Sequence, residues 1–105
     1  MPGSITRESG EAIRLAVLSV PGVAGLSAGR FGEVALLLPG TRIHGLRAVD
    51  RSSAVGTEIH VVYNVDSGRP INKVAEDVRS AAAAAAPQLD FIDIIVADAQ
   101  KGTHP

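Results

Sequence analysis

Residues 20–40 read VPGVAGLSAGRFGEVALLLPG, and the reading of this stretch decides the fold. Five glycines and two prolines interrupt what is otherwise the most apolar half of the chain. Such a stretch can cradle a phosphate, clamp RNA, or end a helix and fold the strands that follow. A dinucleotide fingerprint needs G-x-G-x-x-G after a strand and opening a helix. Gly25, Gly29 and Gly32 have a different spacing, and the helical pattern lies before them. A phosphate loop would end in Gly-Lys-Ser/Thr, which is absent. Gly29-Arg30-Phe31-Gly32 does match the G-x-x-G of a KH domain, which clamps an RNA backbone. That loop joins two helices, whereas Glu33–Leu38 reads as a strand. The glycines are therefore read as punctuation.

Working upstream, Ile13, Ala16, Val17 and Val20 fall on one helical face, widened by Leu15 and Leu18. Ser9 is the expected N-cap, with Glu8 and Glu11 near the positive helix end. Pro21 and Gly22 stop the helix. Downstream, Val23–Ala28 is expected as a short strand bulged at Gly25, followed by a turn at Gly29–Gly32. Pro39-Gly40 marks another turn. Residues 42–49 alternate imperfectly, and Gly45 suggests a bulge. Arg51–Gly56 reads as a polar loop. Thr57–Val65 carries the clearest alternation, Ile59, Val61, Tyr63 and Val65 against Glu58, His60 and Asn64.

After the loop Asp66–Arg69, Pro70 stands where a first-turn proline is tolerated. Ile71, Val74, Ala75, Val78, Ala81, Ala82 and Ala85 then form a helical stripe, and Pro87 stops it. Leu89–Ala97 is the last strand, with Ile92, Ile94 and Val96 facing inward. Alanine fills positions 81–86, a thin surface that lets a helix sit close to its neighbour. Six consecutive residues cannot all face inward, so Ala83 and Ala84 are candidates for self-association.

Composition narrows the function classes. The chain has 105 residues, enough for one core and not two. Residues 1–8 read as a flexible lead-in, 9–98 as the domain and 99–105 as a flexible tail. It has no cysteine, which removes disulfides and thiolate metal sites. Its only aromatics are Phe31, Tyr63 and Phe91, so the core must be aliphatic. A net charge of −1 gives no global attraction to nucleic acid or anionic lipid. The N-terminus shows no secretory pattern and no segment has the length of a bilayer span, which points to the cytoplasm.

The chemistry candidates are few. His44 and His60, with Glu58 nearby, lack a third convincing metal ligand and read as exposed strand histidines. No serine sits in a G-x-S-x-G elbow. Asp90 and Asp93 read as strand-edge carboxylates. No enzyme, metal or cofactor is expected. Arg30, Arg42, Arg47 and Arg51 form a basic cluster in sequence, diluted by Glu33 and Asp50; it reads first as scattered solvated charges and second as a contact for an acidic partner or nucleic acid. Stacking aromatics for single-stranded nucleic acid are nearly absent.

One resemblance covers residues 9–98. Ile13–Val17, Val20-Pro21-Gly22-Val23-Ala24-Gly25-Leu26, Ile59-His60-Val61-Val62-Tyr63, Ile71, Val74-Ala75, Val78 and Ile92–Asp98 together resemble the alkaline shock protein family of Gram-positive envelope stress response proteins. Asn64 after Tyr63, the longer connection through Arg69 and the polyalanine helix end depart from the family pattern and mark a divergent member. The resemblance implies a non-enzymatic scaffold that self-associates and supports envelope homeostasis. It also implies recruitment to the inner face of the membrane by a membrane-anchored partner, without insertion of the chain itself. The residues also leave open an RNA-binding module using the GRFG loop, and a small-ligand regulatory domain with a pocket between helix and sheet. The expected fold is two-layer α+β in the order α-β-β-β-α-β. Two helices cover one face of an antiparallel or mixed sheet of about four strands.

Overall fold

The computed structural model describes residues 5–101. Part of the expected flexible lead-in and tail, with His104, lies outside the described residues.

Helix α1 spans Arg7–Leu18 and starts before the expected point. Its N-cap is Thr6, and Ser9 is the N3 residue of a capping box: the Ser9 N–H donates to the Thr6 hydroxyl, and the Thr6 N–H donates to the Ser9 hydroxyl. Both residues carry hydroxyls, so composition did not separate cap from N3; the reciprocal bonds do. Ile5, expected in the loose lead-in, is buried in the core. Gly10, Ile13 and Val17 form the inner face of α1, while Leu15 and Leu18 are 57% and 40% exposed and do not widen it. Leu15 lies only two residues from either Ile13 or Val17, which turns it to the opposite side of a helix.

Strand β1 (Val23–Leu26) shifts register between Val23 and Gly25, the expected bulge. β2 (Ala35–Leu38) and β3 (Thr41–His44) form an antiparallel hairpin about Pro39-Gly40. β4 (Leu46–Arg51) and β5 (Ala54–Asn64) form a second, longer hairpin. The single strand expected over 42–49 is therefore two strands in two sheets, separated at Gly45. The polar loop expected over 51–56 shrinks to a turn at Ser52-Ser53, with Ser52 at φ 53 and Arg51 paired to Ala54. Polar residues read as loop there, but exposed β-hairpin ends are polar too.

Helix α2 spans Ile71–Ala85, with Pro70 as its N-cap residue rather than in its first turn. Val74, Val78 and Ala82 are buried along it, as the stripe predicts, whereas Ile71, its expected first member, is exposed in the first turn. The segment between β5 and α2, which includes a short 3-10 turn at Val65–Ser67, is held by Arg69. The Arg69 guanidinium donates to the Pro21 carbonyl at 2.8 Å and pairs with Asp77 at 2.5 Å, while the Tyr63 hydroxyl donates to the Arg69 carbonyl. β6 (Phe91–Gln100) returns parallel to β5, so the sheet is mixed. It continues past Asp98 into the expected tail. Ile92 and Ile94 pack against the core, but Val96 is exposed.

The element order is thus α-β-β-β-β-β-α-β, a richer version of the expected α+β plan. β5 organises it. β6 pairs along one edge of β5, while β4 and then β1 pair end to end along the other. Ile59 and Val61 of β5, with Leu46 of β4, meet Ile13, Val17, Val74 and Val78 of the helices in a core fully withdrawn from water. Thr57, the one buried polar residue among those described, donates its hydroxyl to the Arg47 carbonyl at 2.9 Å.

Candidate interaction site

Where β4 hands over to β1 along β5, four backbone hydrogen bonds close a circuit. The His60 N–H donates to the Gly45 carbonyl, the Gly45 N–H to Val34, the Val34 N–H to Ala28, and the Ser27 N–H to the His60 carbonyl. All four lie between 2.8 and 2.9 Å. This circuit fixes both ends of the segment 28–34, so the Gly29–Gly32 loop projects from a closed base. Inside the loop, the Phe31 N–H donates to Glu33 Oε1 at 2.9 Å, and the Gly29 N–H to the Ser27 hydroxyl at 3.2 Å. A Cβ on Gly29, which sits at φ +82, would lie 2.5 Å from the Glu33 carboxylate. The loop is folded around its own acid. Hydrogen bonds from the backbone N–H groups of Glu33 itself and of Phe31 hold the Glu33 carboxyl below the usual carboxylate range, helped by the charges of Arg47 and His60.

Phe31 stands at the tip, 86% exposed, beside exposed Arg30. Below the loop lies a polar cleft of about 580 Å³, lined by Arg30, Glu33, Arg47, His60 and Asp98 among others. His60 Nε2 is 3.1 Å from Glu58 Oε1, and Arg47 approaches the same oxygen at 3.7 Å. A second cleft, of about 390 Å³, runs between α1, the end of β1 and β3, with Leu18, Leu26 and Ile43 as its apolar lining.

The four arginines singled out in sequence do not form one patch. Arg30 and Arg47 share the polar cleft, and Arg42 lines the other. Arg51 lies at the β4–β5 hairpin end, stacked 4.4 Å from the Phe91 ring centroid and paired with Asp93 at 2.5 Å. Asp90 accepts the Val55 N–H at 2.7 Å and serves the sheet. His44 is exposed as expected, but His60 is largely covered; the two line different clefts, and among the described residues no group of three or more His, Asp or Glu is placed to hold a metal. Ala83 and Ala84 are exposed on α2, while Ala82 and Ala86 are buried. Sequence reasoning placed Phe31 in the turn and in the RNA-binding alternative but not as a protein-docking tip, and it missed Glu33 as the loop's internal ligand. An aromatic flanked by glycines, two residues before an acid, is the signal both leave in the sequence.

No family model matches the chain, and no curated protein matches it. Among solved structures it is similar to a variant of MamM CTD in a nickel form. The TM-score is 0.57 at 14% identity, over 93% of this chain and 100% of that one. At that identity the likeness concerns the fold: two helices against a mixed sheet.

Proposed function

We propose that this chain is a non-enzymatic interaction module that docks a protein partner through the Gly29–Gly32 tip. The observation that carries the reading is Phe31, exposed on a loop whose base is closed by backbone hydrogen bonds. An aromatic on an already ordered backbone binds with little further loss of freedom. Aromatic and arginine side chains are also the types that dominate interface energetics, and Arg30 stands next to Phe31. Phosphate clamping by the same loop is disfavoured, because the Glu33 carboxylate already takes the Phe31 N–H that an RNA phosphate would need. Nickel is a property of the MamM structure and is not carried to this chain, given the lack of a metal-ligand group among the described residues.

The resemblance to alkaline shock proteins supplies the setting. In this reading the partner is membrane-anchored, the chain sits at the inner face of the envelope, and self-association runs through the exposed alanines of α2. Membrane attachment comes from the partner; among the described residues no helix is long and apolar enough to cross a membrane.

Crosslinking the wild-type chain and Phe31→Ala in the native cell tests both levels. The expected result is a membrane-spanning protein recovered with the wild type and lost with the variant, at unchanged folding stability. Equal recovery by both would refute the tip, and a partner without a span would refute the envelope setting. Light scattering should show concentration-dependent oligomers that Ala83→Glu weakens.

A further inference from the structure

The cleft beside β3 has the properties of a strand-binding groove. Arg42, Ile43 and His44 all line it, yet neighbouring side chains of a strand point to opposite faces. Three consecutive residues border one cleft only along the strand's edge. β3 pairs with β2 alone among the described residues, so that edge has no ladder partner. The alternation of an antiparallel ladder identifies its free groups. The two-residue turn Pro39-Gly40 makes Leu38–Thr41 the closing hydrogen-bonded pair, and Leu36–Ile43 is therefore the next. The Gly45 N–H bond to the Val34 carbonyl keeps that phase. Arg42 and His44 fall between, and their N–H and C=O groups point away from β2, onto the free edge.

Chemistry then narrows the occupant. Arg42 and His44 take part in no ion pair among the described residues, and the one acid of the cleft, Glu11, is held by Arg14 at 2.7 Å. Across the cleft from β3, α1 offers Leu18 and the end of β1 offers Leu26. A strand laid along β3 would set alternate residues against those leucines and the others beside Arg42 and His44. We infer that this cleft receives an extended segment of a partner protein, with apolar and acidic residues in alternation, added as a third strand to the β2–β3 hairpin. Main-chain bonds to Arg42 and His44 provide the pairing, and the Arg42 guanidinium, with no acid of its own, selects an acidic strand. A hairpin of two strands gains most from such an addition.

The probe is a blocked pentapeptide, acetyl-Glu-Val-Glu-Val-Glu-amide, titrated into the isotope-labelled full chain and followed by amide resonances. The Arg42 and His44 amides should shift and become protected from exchange. The lysine counterpart of the peptide should bind at least about tenfold more weakly, and Arg42→Glu should reverse that preference. A version N-methylated at alternate amides should lose binding, since its side chains are intact but its ladder is blocked. Leu18→Ser should weaken the glutamate peptide without changing the charge preference. The inference is overturned if the Arg42 and His44 amides stay unmoved at millimolar peptide. It is equally overturned if both peptides bind alike, if N-methylation has no effect, or if octanoate shifts these amides while the peptide does not.

Discussion

Gly45 stands where the backbone leaves one sheet and enters another, and its missing side chain is what permits the passage. It sits at φ +92, and a Cβ there would lie 2.6 Å from the Leu26 Cβ. Gly45→Ala therefore combines a left-handed backbone with overpacking against β1, and should destabilise the fold by roughly 2–4 kcal/mol in urea unfolding. Gly40, also at positive φ but with open space around it, carries only the conformational part of that penalty. Glu33 gives a prediction in pH. Its carboxyl titrates below the usual range in the folded loop, so its contribution is complete above the ordinary carboxylate pKa. That contribution is lost as pH falls through the lowered value. The Phe31 amide resonance should move with that titration in the wild type and not in Glu33→Gln. A Phe31 amide that titrates identically in both would count against the internal-ligand role.

At the level of elements, periodicity was the most legible signal where one face is buried and least where both faces are half-covered. Val74, Val78 and Ala82 follow helical spacing and are buried as read. The alternation over Thr57–Val65 likewise marks the central strand through Ile59 and Val61, but Val65, read as its last inward residue, lies exposed in the 3-10 turn after the strand ends at Asn64. In α1 the apolar residues ran around more of the helix than the core covers. Ile13→Ala should cost about 2–5 kcal/mol, because the side chain is wholly buried. Leu15→Ala should change stability by less than about 0.5 kcal/mol. Matching urea midpoints for the two variants would mean that the phase of α1 is wrong. The Arg51–Gly56 segment was not legible, since its strand character comes from cross-strand pairing, Val49 with Gly56 and Asp50 with Val55, not from its own polarity. Of the candidate site, the turn at Gly29–Gly32 was legible from glycine spacing. Its closure was not, because His60 and Gly45 are distant in sequence from Ser27 and Val34.

For the whole molecule, the prediction is a gradient of opening. β5 has neighbours on both edges and the helices over its inner face, so its amides should exchange slowest, close to global unfolding. The β2–β3 hairpin is a sheet of its own and should exchange through smaller openings. Hydrogen exchange showing the hairpin as slow as β5 would contradict this hierarchy. The same gradient fits the assignment of docking to the parts outside the central sheet: the Phe31 tip on one cleft and the β3 edge on another.

By itself the sequence determined the class of fold, the two helices with their buried stripes, the central strand and the positions where the backbone must turn. These follow from local rules, namely the repeat of apolar residues and the conformations open to glycine and proline. Only the tertiary structure decided that β3 and β4 part company at Gly45, that β1 and β4 share an edge of β5, and which arginine lines which cleft. Those outcomes depend on hydrogen bonds and contacts between residues far apart in the chain, and no local pattern encodes which distant carbonyl an amide will meet.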